Sequence, residues 1–441
     1  MKWIFGTLAL LVLGLVLKLS LLVYAMYVLL GILALSRFFS RTWTNELEAS
    51  RFCGRDVLEI GGSADVSVEV INQGRLSVPW LIVEDSLPRD ALVQVPRHLK
   101  ADGPRLKLTR LAPGETTSLQ YQVTFLMRGY YQIGPLLLET GDVFGLHRRF
   151  RVATEPHFAM VLPKVRPLEG YNLASRRPIG EIRVVHRLFE DPTRLAGIRP
   201  YQPGDPLNRI HWRATARTGQ LHSRIYENSR VAGATFLLDF HGQSYRGPGA
   251  ANSAELAIVT VASLANAVLL MGQQIGLVTN GRDAADRIRE EGWGAEFTTR
   301  RDAHRRASEA RANTRLQPVV VETRKGDASF RRILETLARL EHTDGLEFSE
   351  MLAEAAPEIP RDATVVAVLR RVTPATAASL GELFRRGFLV TVIVVSVELE
   401  PPPDWAQAPD WAQMLLAQNI DFRVVNSEES VTNLCAEAIV R

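Results

Sequence analysis

The stretch IRPYQPGDPLNRIHWRATARTGQLHSRIYE, residues 198–227, concentrates the side chains of this chain that could perform acid–base chemistry. His211 could act as a general base oriented by Asp205, as in many hydrolases and transferases. An aspartate just before a proline, however, is typical of a helix N-cap, where its oxygens accept backbone N–H groups. No serine, cysteine or threonine nucleophile is clearly placed beside His211 in the sequence, so these residues favour a role without catalysis.

Turn and capping residues divide this stretch into short elements. Tyr201-Gln-Pro-Gly204 predicts a tight turn, after which Asp205 caps a helix and Pro206 occupies its first position. Gly219 is placed to end that helix, and residues 221–227 follow as a strand. Helical spacing places four side chains on a face predicted to pack inward: Leu207, Ile210, His211 and Ala214.

Arginines and Trp212 are the second chemical feature of the stretch. Residues 176–230 contain arginine, including Arg199, Arg213 and Arg217, but no lysine, and guanidinium groups pair with carboxylates as well as with phosphates. The formal net charge of the chain is only +4 over 441 residues, which is weak support for nucleic-acid binding. Trp and Arg also dominate protein–protein interfaces. We therefore predict an interdomain joint or a protein partner here, and no nucleic acid.

The elements that position this stretch begin with an apolar N-terminal region. Between Trp3 and Ser36 the only charged side chain is Lys18. One helix of this length would span about 50 Å, well beyond the ~30 Å hydrocarbon core, and would bury Lys18 near its middle. We therefore predict a hairpin of two transmembrane helices, Trp3–Leu17 and Leu19–Leu35, rather than a cleaved signal peptide.

Basic residues beside the hairpin predict its orientation. Those on the side opposite Lys18 are Lys2, Arg37, Arg41, Arg51 and Arg55. The positive-inside rule therefore places the soluble region in the cytoplasm, and the protein in the cytoplasmic (inner) membrane as a multi-pass protein whose residues 3–35 contact lipid.

Residues from about 55 to 140 alternate apolar and polar side chains in short runs separated by turn residues. DVSVEVINQGRLSVPWLIVEDSLP predicts two strands, and RLKLTRLAPGETTSLQYQVTFLMRGYYQIGPLLLETGD predicts three more. Short strands at this spacing are typical of an immunoglobulin-like β-sandwich. The following GDVFGLHRRF contains Asp142 and His147, and predicts a corner that closes the domain rather than a catalytic pair.

From Thr235 onward strands alternate with helices. TFLLDF, QIGLVTNG, ATVVAVLRRV, FLVTVIVVSV and DFRVVN predict buried strands, and the segments between most of them have helical apolar spacing. This alternation predicts a doubly wound parallel sheet. No glycine-rich phosphate loop follows any of these strands, and Cys53 and Cys435 form no metal-binding spacing, so we predict no cofactor.

Three features of the chain together resemble one family. They are residues 198–227, which we call the signature stretch, the preceding RGYYQIGPLLLETGDVFGL, and the order of hairpin, β-domain and α/β-domain. The family comprises the bacterial membrane proteins with domain of unknown function 58 (DUF58), whose pattern is roughly R-x-Y-x-x-G-D-x-x-x-x-I-x-W-x-x-[ST]-A-[RK]. The matching positions are Arg199, Tyr201, Gly204, Asp205, Ile210, Trp212, Thr215, Ala216 and Arg217. The resemblance is weakest in residues 282–315 and around the repeated PDWAQ of residues 403–413.

The resemblance implies a C-terminal domain similar to a von Willebrand factor A domain and a partnership with MoxR-type AAA+ ATPases. Many A-domains bind a divalent cation through a D-x-S-x-S motif after the first strand, and Asp239 matches its aspartate. The two serine positions hold His241 and Gln243, and a later strand ends in Arg370 and Arg371 instead of an aspartate. Because a hard cation requires several oxygen ligands, we predict no metal at this position.

Together these observations predict a multidomain, membrane-anchored assembly protein that binds a MoxR-type ATPase and has no catalytic activity of its own. The predicted regions are an anchor (1–42), a β-sandwich (43–150), the signature joint (151–230) and an A-like α/β domain (231–441). The alternative is an envelope-linked hydrolase or transferase that uses the His211 and Asp205 region.

Overall fold

A computed structural model of the protein describes residues 2–93, 96–142, 147–168, 190–200, 211–228, 233–291, 317–360, 363–398 and 409–434. The chain divides into two compact units. The first comprises Met1–Lys164, Arg282–Asn313 and Leu334–Glu341, and the second comprises Val165–Gly281, Thr314–Ile333 and His342–Arg441.

Two apolar helices that contact each other open the first unit, as predicted: α1 (Lys2–Val16) and α2 (Ser20–Asn45). Lys18 lies in the turn between them with a φ of 53°. Helix α2 is long and apolar enough to cross a bilayer, and only 11% of its most apolar 18-residue segment is buried. Helix α1 is apolar but shorter. The pair indicates membrane association.

The strands of the first unit follow α2. They are β1 (Leu47–Cys53), β2 (Val57–Glu59), β3 (Ser63–Asn72), β4 (Val78–Asp85), β5 (Leu99–Asp102), β6 (Leu106–Leu111), β7 (Thr116–Phe125), β8 (Gly129–Ile133), β9 (Leu136–Gly141), β10 (Arg148–Thr154) and β11 (His157–Leu162), with a short helix α3 (Arg89–Val93) before β5. They form antiparallel sheets of order β1-β3-β7-β5 and β10-β9-β4-β6, and a third, mixed sheet of order β2-β11-β8.

The predicted period-two alternation is realised in these sheets. Along β3 and β7 every second side chain is buried, among them Val68 and Val123, and both sheets of four strands contribute to one apolar core. The third of the three strands predicted between Arg105 and Asp142 is divided into β8 and β9 at Gly134 and Pro135. Proline has no N–H for a ladder hydrogen bond, which explains the break.

A buried ion pair lies within this unit. The guanidinium of Arg51 donates to both carboxylate oxygens of Asp85, and the Tyr121 hydroxyl donates to the same carboxylate at 2.7 Å. Burial and the neighbouring Asp85 charge raise the pKa of Tyr121, so its hydroxyl stays protonated as a donor. Burial also raises the pKa of the nearby Cys53 thiol to about 11, so the thiol is neutral and weakly nucleophilic at physiological pH.

The C-terminal half of α2 packs against β9 and β10. Arg151 on β10 donates to the carbonyl oxygens of Thr44 at 3.0 Å and Leu47 at 3.2 Å, beside the last turn of the helix. Ser36 Oγ lies 2.8 Å from His147 Nδ1, just before β10. These two contacts fix α2 to the strand at both ends of its packed segment.

The second unit contains a two-stranded ribbon and a six-stranded sheet. The ribbon pairs β12 (Glu190–Pro200) with β13 (His222–Asn228), and helix α4 (Trp212–Thr218) lies between them in the chain. The larger sheet consists of β14 (Gly233–Leu238), β15 (Gln274–Thr279), β17 (Val319–Arg324), β19 (Ala363–Leu369), β20 (Leu389–Val395) and β21 (Asp421–Val425), in the order β17-β15-β14-β19-β20-β21.

The prediction of a wholly parallel sheet is wrong at one edge, where the observed sheet contains an antiparallel strand. Strand β17 pairs antiparallel with β15, whereas the other neighbours pair in parallel. The prediction assigned no strand to Val319–Arg324, whose apolar run is only the three valines 319–321 and is followed by the polar residues 322–324. An antiparallel edge strand on an otherwise parallel sheet is a common arrangement.

Helices cover both faces of this sheet, in agreement with the predicted alternation. They are α5 (Ala250–Leu270), α8 (Phe348–Ala355) with a following 3-10 turn (Ala356–Glu358), α9 (Pro374–Arg385), α10 (Asp410–Leu416) and α11 (Glu428–Thr432). Helices α5 and α11 contact each other, and α8, α9 and α10 form a second contiguous layer. Helix α5 is also long and apolar enough to cross a membrane, but 78% of its most apolar segment is buried, as in the core helix of a folded domain.

The remaining elements lie between β15 and β19: β16 (Arg282–Asp283), α6 (Ala284–Glu291), α7 (Asp327–Arg339) and β18 (Leu340–Glu341). Within the first unit, Arg128 is buried and donates to the carbonyl oxygens of Leu337 at 2.9 Å and Leu340 at 3.0 Å. A cation near the last carbonyls of a helix is a favourable arrangement. The sequence contained no signal for this contact.

Candidate functional site

The signature stretch is built on the ribbon of β12 and β13. Ile198 pairs with Arg224, and Arg199 pairs with Ser223, which is buried. The predicted strand after Gly219 is confirmed as β13, but strand β12 was missed. The sequence LFEDPTRLAGIRP contains two prolines and a glycine and little regular alternation, so it does not predict a strand.

Helix α4 begins later than predicted. The backbone of His211 is not helical, and its Nδ1 accepts a hydrogen bond from the Ala214 N–H at 3.0 Å, so His211 caps a helix that starts at Trp212. The prediction of one helix from Pro206 to Thr218 is therefore wrong. Asp205 lies outside the described residues. The helix ends as predicted at Gly219, which has a φ of 72°.

The predicted inward face of this helix is also corrected. None of the residues of α4 is buried, and among the described members of that face His211 and Ala214 are only half-buried. Helix α4 has seven residues and contacts β13. Leu207 and Ile210, the other two members of the predicted face, lie outside the described residues.

Exposed side chains dominate α4. Trp212 is 65% exposed, and Arg213, Ala216 and Arg217 are also exposed. Trp212 and Ala216 form one row at a spacing of four residues, and Arg213 and Arg217 form the adjacent row. We call these four residues the α4 face. Among the described residues, no carboxylate lies within ion-pair distance of either arginine.

The remaining signature positions are distributed as follows. Arg199 is the penultimate residue of β12, and Thr215 Oγ1 accepts from the His222 N–H at 3.2 Å, which ties α4 to β13. Four predicted positions lie outside the described residues: Tyr201, Gly204, Asp205 and Ile210. The described structure therefore brings together Trp212, Ala216 and Arg217 of the predicted set.

The two histidines of the stretch make local hydrogen bonds. Because a backbone N–H can only donate, Nδ1 of His211 must be the acceptor, so the neutral ring carries its proton on Nε2. His222 Nδ1 lies 2.8 Å from the Gln220 carbonyl oxygen and 3.2 Å from Thr218 Oγ1. These contacts hold the turn between α4 and β13.

The carboxyl edge of the sheet forms a second polar cluster, around Asp239. This residue is 2% exposed, and its carboxylate accepts from three donors. These are the His241 N–H at 3.1 Å, Asn280 Nδ2 at 3.0 Å and Ser244 Oγ at 2.6 Å. Gln243 is exposed, and its N–H lies 3.3 Å from His241 Nδ1.

Arg370, at the end of β19, holds the loop that follows Asp239. Its guanidinium donates to the carbonyl oxygens of Ser244 at 3.1 Å, Arg246 at 2.8 Å and Pro248 at 3.1 Å. Ser244 therefore links the two charges, since its hydroxyl donates to Asp239 and its carbonyl accepts from Arg370. No group of three or more His, Cys, Asp or Glu side chains with metal-binding spacing occurs among the described residues.

This arrangement gives a test of the predicted absence of a metal. We expect millimolar Mg²⁺ to leave the melting temperature of the protein unchanged, because hydrogen-bond donors already occupy the Asp239 oxygens and the nearby cation is a guanidinium. Differential scanning fluorimetry with a Mg²⁺ titration measures this. A clear stabilisation that disappears in the Asp239→Ala variant would overturn the prediction, and an equal Mg²⁺ effect on both proteins would indicate binding elsewhere.

Comparisons with known proteins place the signature stretch in a family. Residues 197–298 match the family described as "Protein of unknown function DUF58". "Uncharacterized protein YeaD" of Bacillus subtilis (strain 168) is 23% identical over 239 residues, which cover 54% of this chain and 56% of the relative. The chain thus aligns with about half the length of that relative.

Likenesses to solved structures are weaker. The crystal structure of the CARDB domain of the PF1109 protein from Pyrococcus furiosus is 17% identical and covers 26% of this chain and 87% of that chain, with a TM-score of 0.18. The α-2-macroglobulin of E. coli is 15% identical and covers 27% of this chain and 7% of that chain, with a TM-score of 0.21. Such TM-scores establish no shared fold. The match over residues 197–298 includes every position of the predicted signature, so the resemblance of this segment to the DUF58 family is confirmed.

Proposed function

We propose that this protein is a membrane-anchored interaction factor that recruits a MoxR-type AAA+ ATPase through the α4 face. The observation that carries the proposal is Trp212, a large aromatic side chain that is 65% exposed on a helix with no buried residue. Exposed Trp and Arg residues are the types that most often supply binding energy at interfaces. The remaining architecture, with an apolar hairpin and two soluble units, suits an anchor with a docking platform.

The finer features of the proposal follow from the sequence. The hairpin crosses the cytoplasmic membrane twice, the basic residues after it place both soluble units in the cytoplasm, and residues 3–35 contact lipid. The β-domain is immunoglobulin-like, and the α/β-domain is a von Willebrand A-like domain in which Arg370 replaces the cation. An acidic, partly apolar surface on the ATPase would complement Arg213, Arg217 and Trp212.

One feature supports a function without catalysis. The Ala214 N–H occupies Nδ1 of His211, so the neutral ring has no free basic nitrogen for proton abstraction. Nδ1 of His222 donates to the Gln220 carbonyl oxygen, so the basic nitrogen of its neutral ring is Nε2. The arrangement of His211 does not favour the alternative of a hydrolase or transferase centred on His211 and Asp205.

Binding of a purified MoxR-type ATPase to the detergent-solubilised protein tests the proposal. We expect the Trp212→Ala variant to weaken binding at least tenfold, as truncation of a central aromatic residue costs on the order of 2 kcal/mol. The double variant Arg213→Glu and Arg217→Glu should weaken it further, because it also repels an acidic partner. Biolayer interferometry measures the Kd.

The matched control is Phe384→Ala, an aromatic side chain that is 38% exposed on α9. We expect its Kd to stay within twofold of the unchanged protein. Equal weakening by Trp212→Ala and Phe384→Ala would show that the α4 face is not the docking site. Absence of any binding by the folded, unchanged protein would reject the ATPase as its partner.

A further inference from the structure

The geometry of α2 and β10 points to a binding site for the headgroup phosphate of an anionic lipid, formed by Arg37, Arg41 and Arg149. We call these three residues the arginine triad. The inference rests on the proposed membrane anchor and is independent of the proposed ATPase partner. All three residues belong to the first unit.

Two contacts on either side of the triad fix its geometry. His147 contacts Ser36 of α2, and Arg151 contacts Thr44, so the strand and the helix run in the same direction along each other. From Ser36 to Thr44 the helix rises about 12 Å, and from residue 147 to residue 151 an extended strand advances about 13 Å. The two segments therefore match in length, and Arg149 lies between the two contacts.

The side-chain directions bring the three guanidinium groups together. Side chains two residues apart share one face of a strand, so Arg149 projects toward α2 as His147 and Arg151 do. Arg37 and Arg41 lie one helical turn apart, and each directly follows a buried serine of the packed face. The triad therefore lines the margin of the contact between α2 and β10, where Arg41 is exposed and the other two are half-buried.

The triad has no acidic partner among the described residues. The neighbouring Arg148 forms an ion pair with Glu139, with 3.9 Å between Nη1 and Oε1. The guanidinium carbon of Arg148 also lies 5.9 Å from the centre of the Trp80 ring. Partial burial and the charges of Arg41 and Arg37 lower the pKa of Arg149, as expected for three cations held close together. Such a group of like charges is favourable only when an anion lies among them.

The depth of the triad identifies the anion. The predicted second span, Leu19–Leu35, ends about 3 Å along the helix before Arg37 and about 9 Å before Arg41. Arg37 and Arg41 therefore lie at the level of the lipid headgroups. Guanidinium groups bind phosphate oxygens with paired hydrogen bonds, and a phosphodiester with no neighbouring ammonium group leaves its negative charge uncompensated. The structure thus favours anionic over zwitterionic lipids.

The test uses the full-length protein in a non-ionic detergent, titrated with phosphatidylglycerol, with phosphatidylcholine, or with inorganic phosphate. The readout is the shift of the melting temperature, together with the number of lipids retained in native mass spectrometry. We expect saturable stabilisation by phosphatidylglycerol alone. Replacing the triad with glutamine (Arg37→Gln, Arg41→Gln and Arg149→Gln) should weaken it roughly a hundredfold, at about fivefold per arginine.

A matched control removes three exposed arginines elsewhere in the first unit, with Arg75→Gln, Arg97→Gln and Arg110→Gln. It changes the net charge equally and should leave the lipid effect intact. Should the triple triad variant fail to fold, Arg149→Gln alone must still show the fivefold loss. Equal lipid responses of the triad variant and the control variant would overturn the proposal.

Two further outcomes also reject it. Equal stabilisation by phosphatidylcholine would show that the site does not select a negative charge, and equal stabilisation by inorganic phosphate would show a general anion site. Carbonate extraction of membranes tests the anchor separately, because an apolar hairpin keeps the triad variant in the membrane pellet even when headgroup binding is lost.

Discussion

Replacement of Arg51 by methionine is expected to lower the free energy of unfolding of the first unit by about 3–5 kcal/mol, the loss typical of a buried ion pair from which one partner is removed. The side chains of Arg51 and Asp85 are 4% and 0% exposed. Without the guanidinium, the buried Asp85 carboxylate keeps the hydrogen bond from the Tyr121 hydroxyl but loses the cation that balances its charge. Guanidinium chloride denaturation of the detergent-solubilised protein, followed by fluorescence, measures the change.

The matched control for this prediction is Lys100→Met, which breaks an exposed pair with Asp102 and should cost no more than about 1 kcal/mol. A combined Arg51→Met, Asp85→Leu and Tyr121→Phe variant should recover much of the loss, since it leaves no unpaired charge in the core. A loss below about 1 kcal/mol for Arg51→Met would show that the pair contributes no more than a surface contact.

The second large effect is expected from Arg370→Met. This change removes the donor to the carbonyl oxygens of Ser244, Arg246 and Pro248, and we expect a loss of about 2–4 kcal/mol from the second unit. Hydrogen exchange should also become faster in residues 244–249, because the loop loses the group that holds it. Arg370→Lys should give an intermediate result, as an ammonium group keeps the charge but cannot bridge three carbonyls.

The neighbouring residue supplies the control for Arg370. Arg371 is exposed, and the Arg371→Met variant changes the same charge at the same end of β19. We expect it to alter stability by less than about 0.5 kcal/mol. Similar losses in the two variants would mean that charge alone matters at this edge of the sheet, and that the hydrogen bonds to the loop do not.

The sequence predicted those parts of the fold that depend on local patterns. The turn at Lys18 follows from the cost of burying a charge in the bilayer, β3 and β7 from their period-two alternation, and β14, β19 and β20 from short apolar runs that alternate with helical segments. Strand β17 was missed because its apolar run is only three valines long. Its antiparallel direction depends on pairing with β15, which sequence spacing alone does not determine.

The candidate site was predicted in part. The choice of Trp212 and Arg217 as binding residues and the stop at Gly219 follow from residue type. The cap was assigned to Asp205 because aspartate before proline is a strong local signal, whereas His211 caps α4 through an imidazole nitrogen, which the preference for small polar caps does not anticipate. The contacts of Arg370 join residues more than 120 positions apart in the chain, and no local rule predicts them.

Helix α2 continues without interruption from its apolar segment into the packed segment Ser36–Asn45, where it is fixed to β10 at both ends. Ten residues of helix extend about 15 Å, and a helix of this kind is far stiffer than a glycine-rich or serine-rich linker. The β-domain is therefore carried on a rigid stem. In the proposed anchor, a thinner or thicker bilayer would change the tilt of α2, and that change would tilt the whole β-domain relative to the membrane plane.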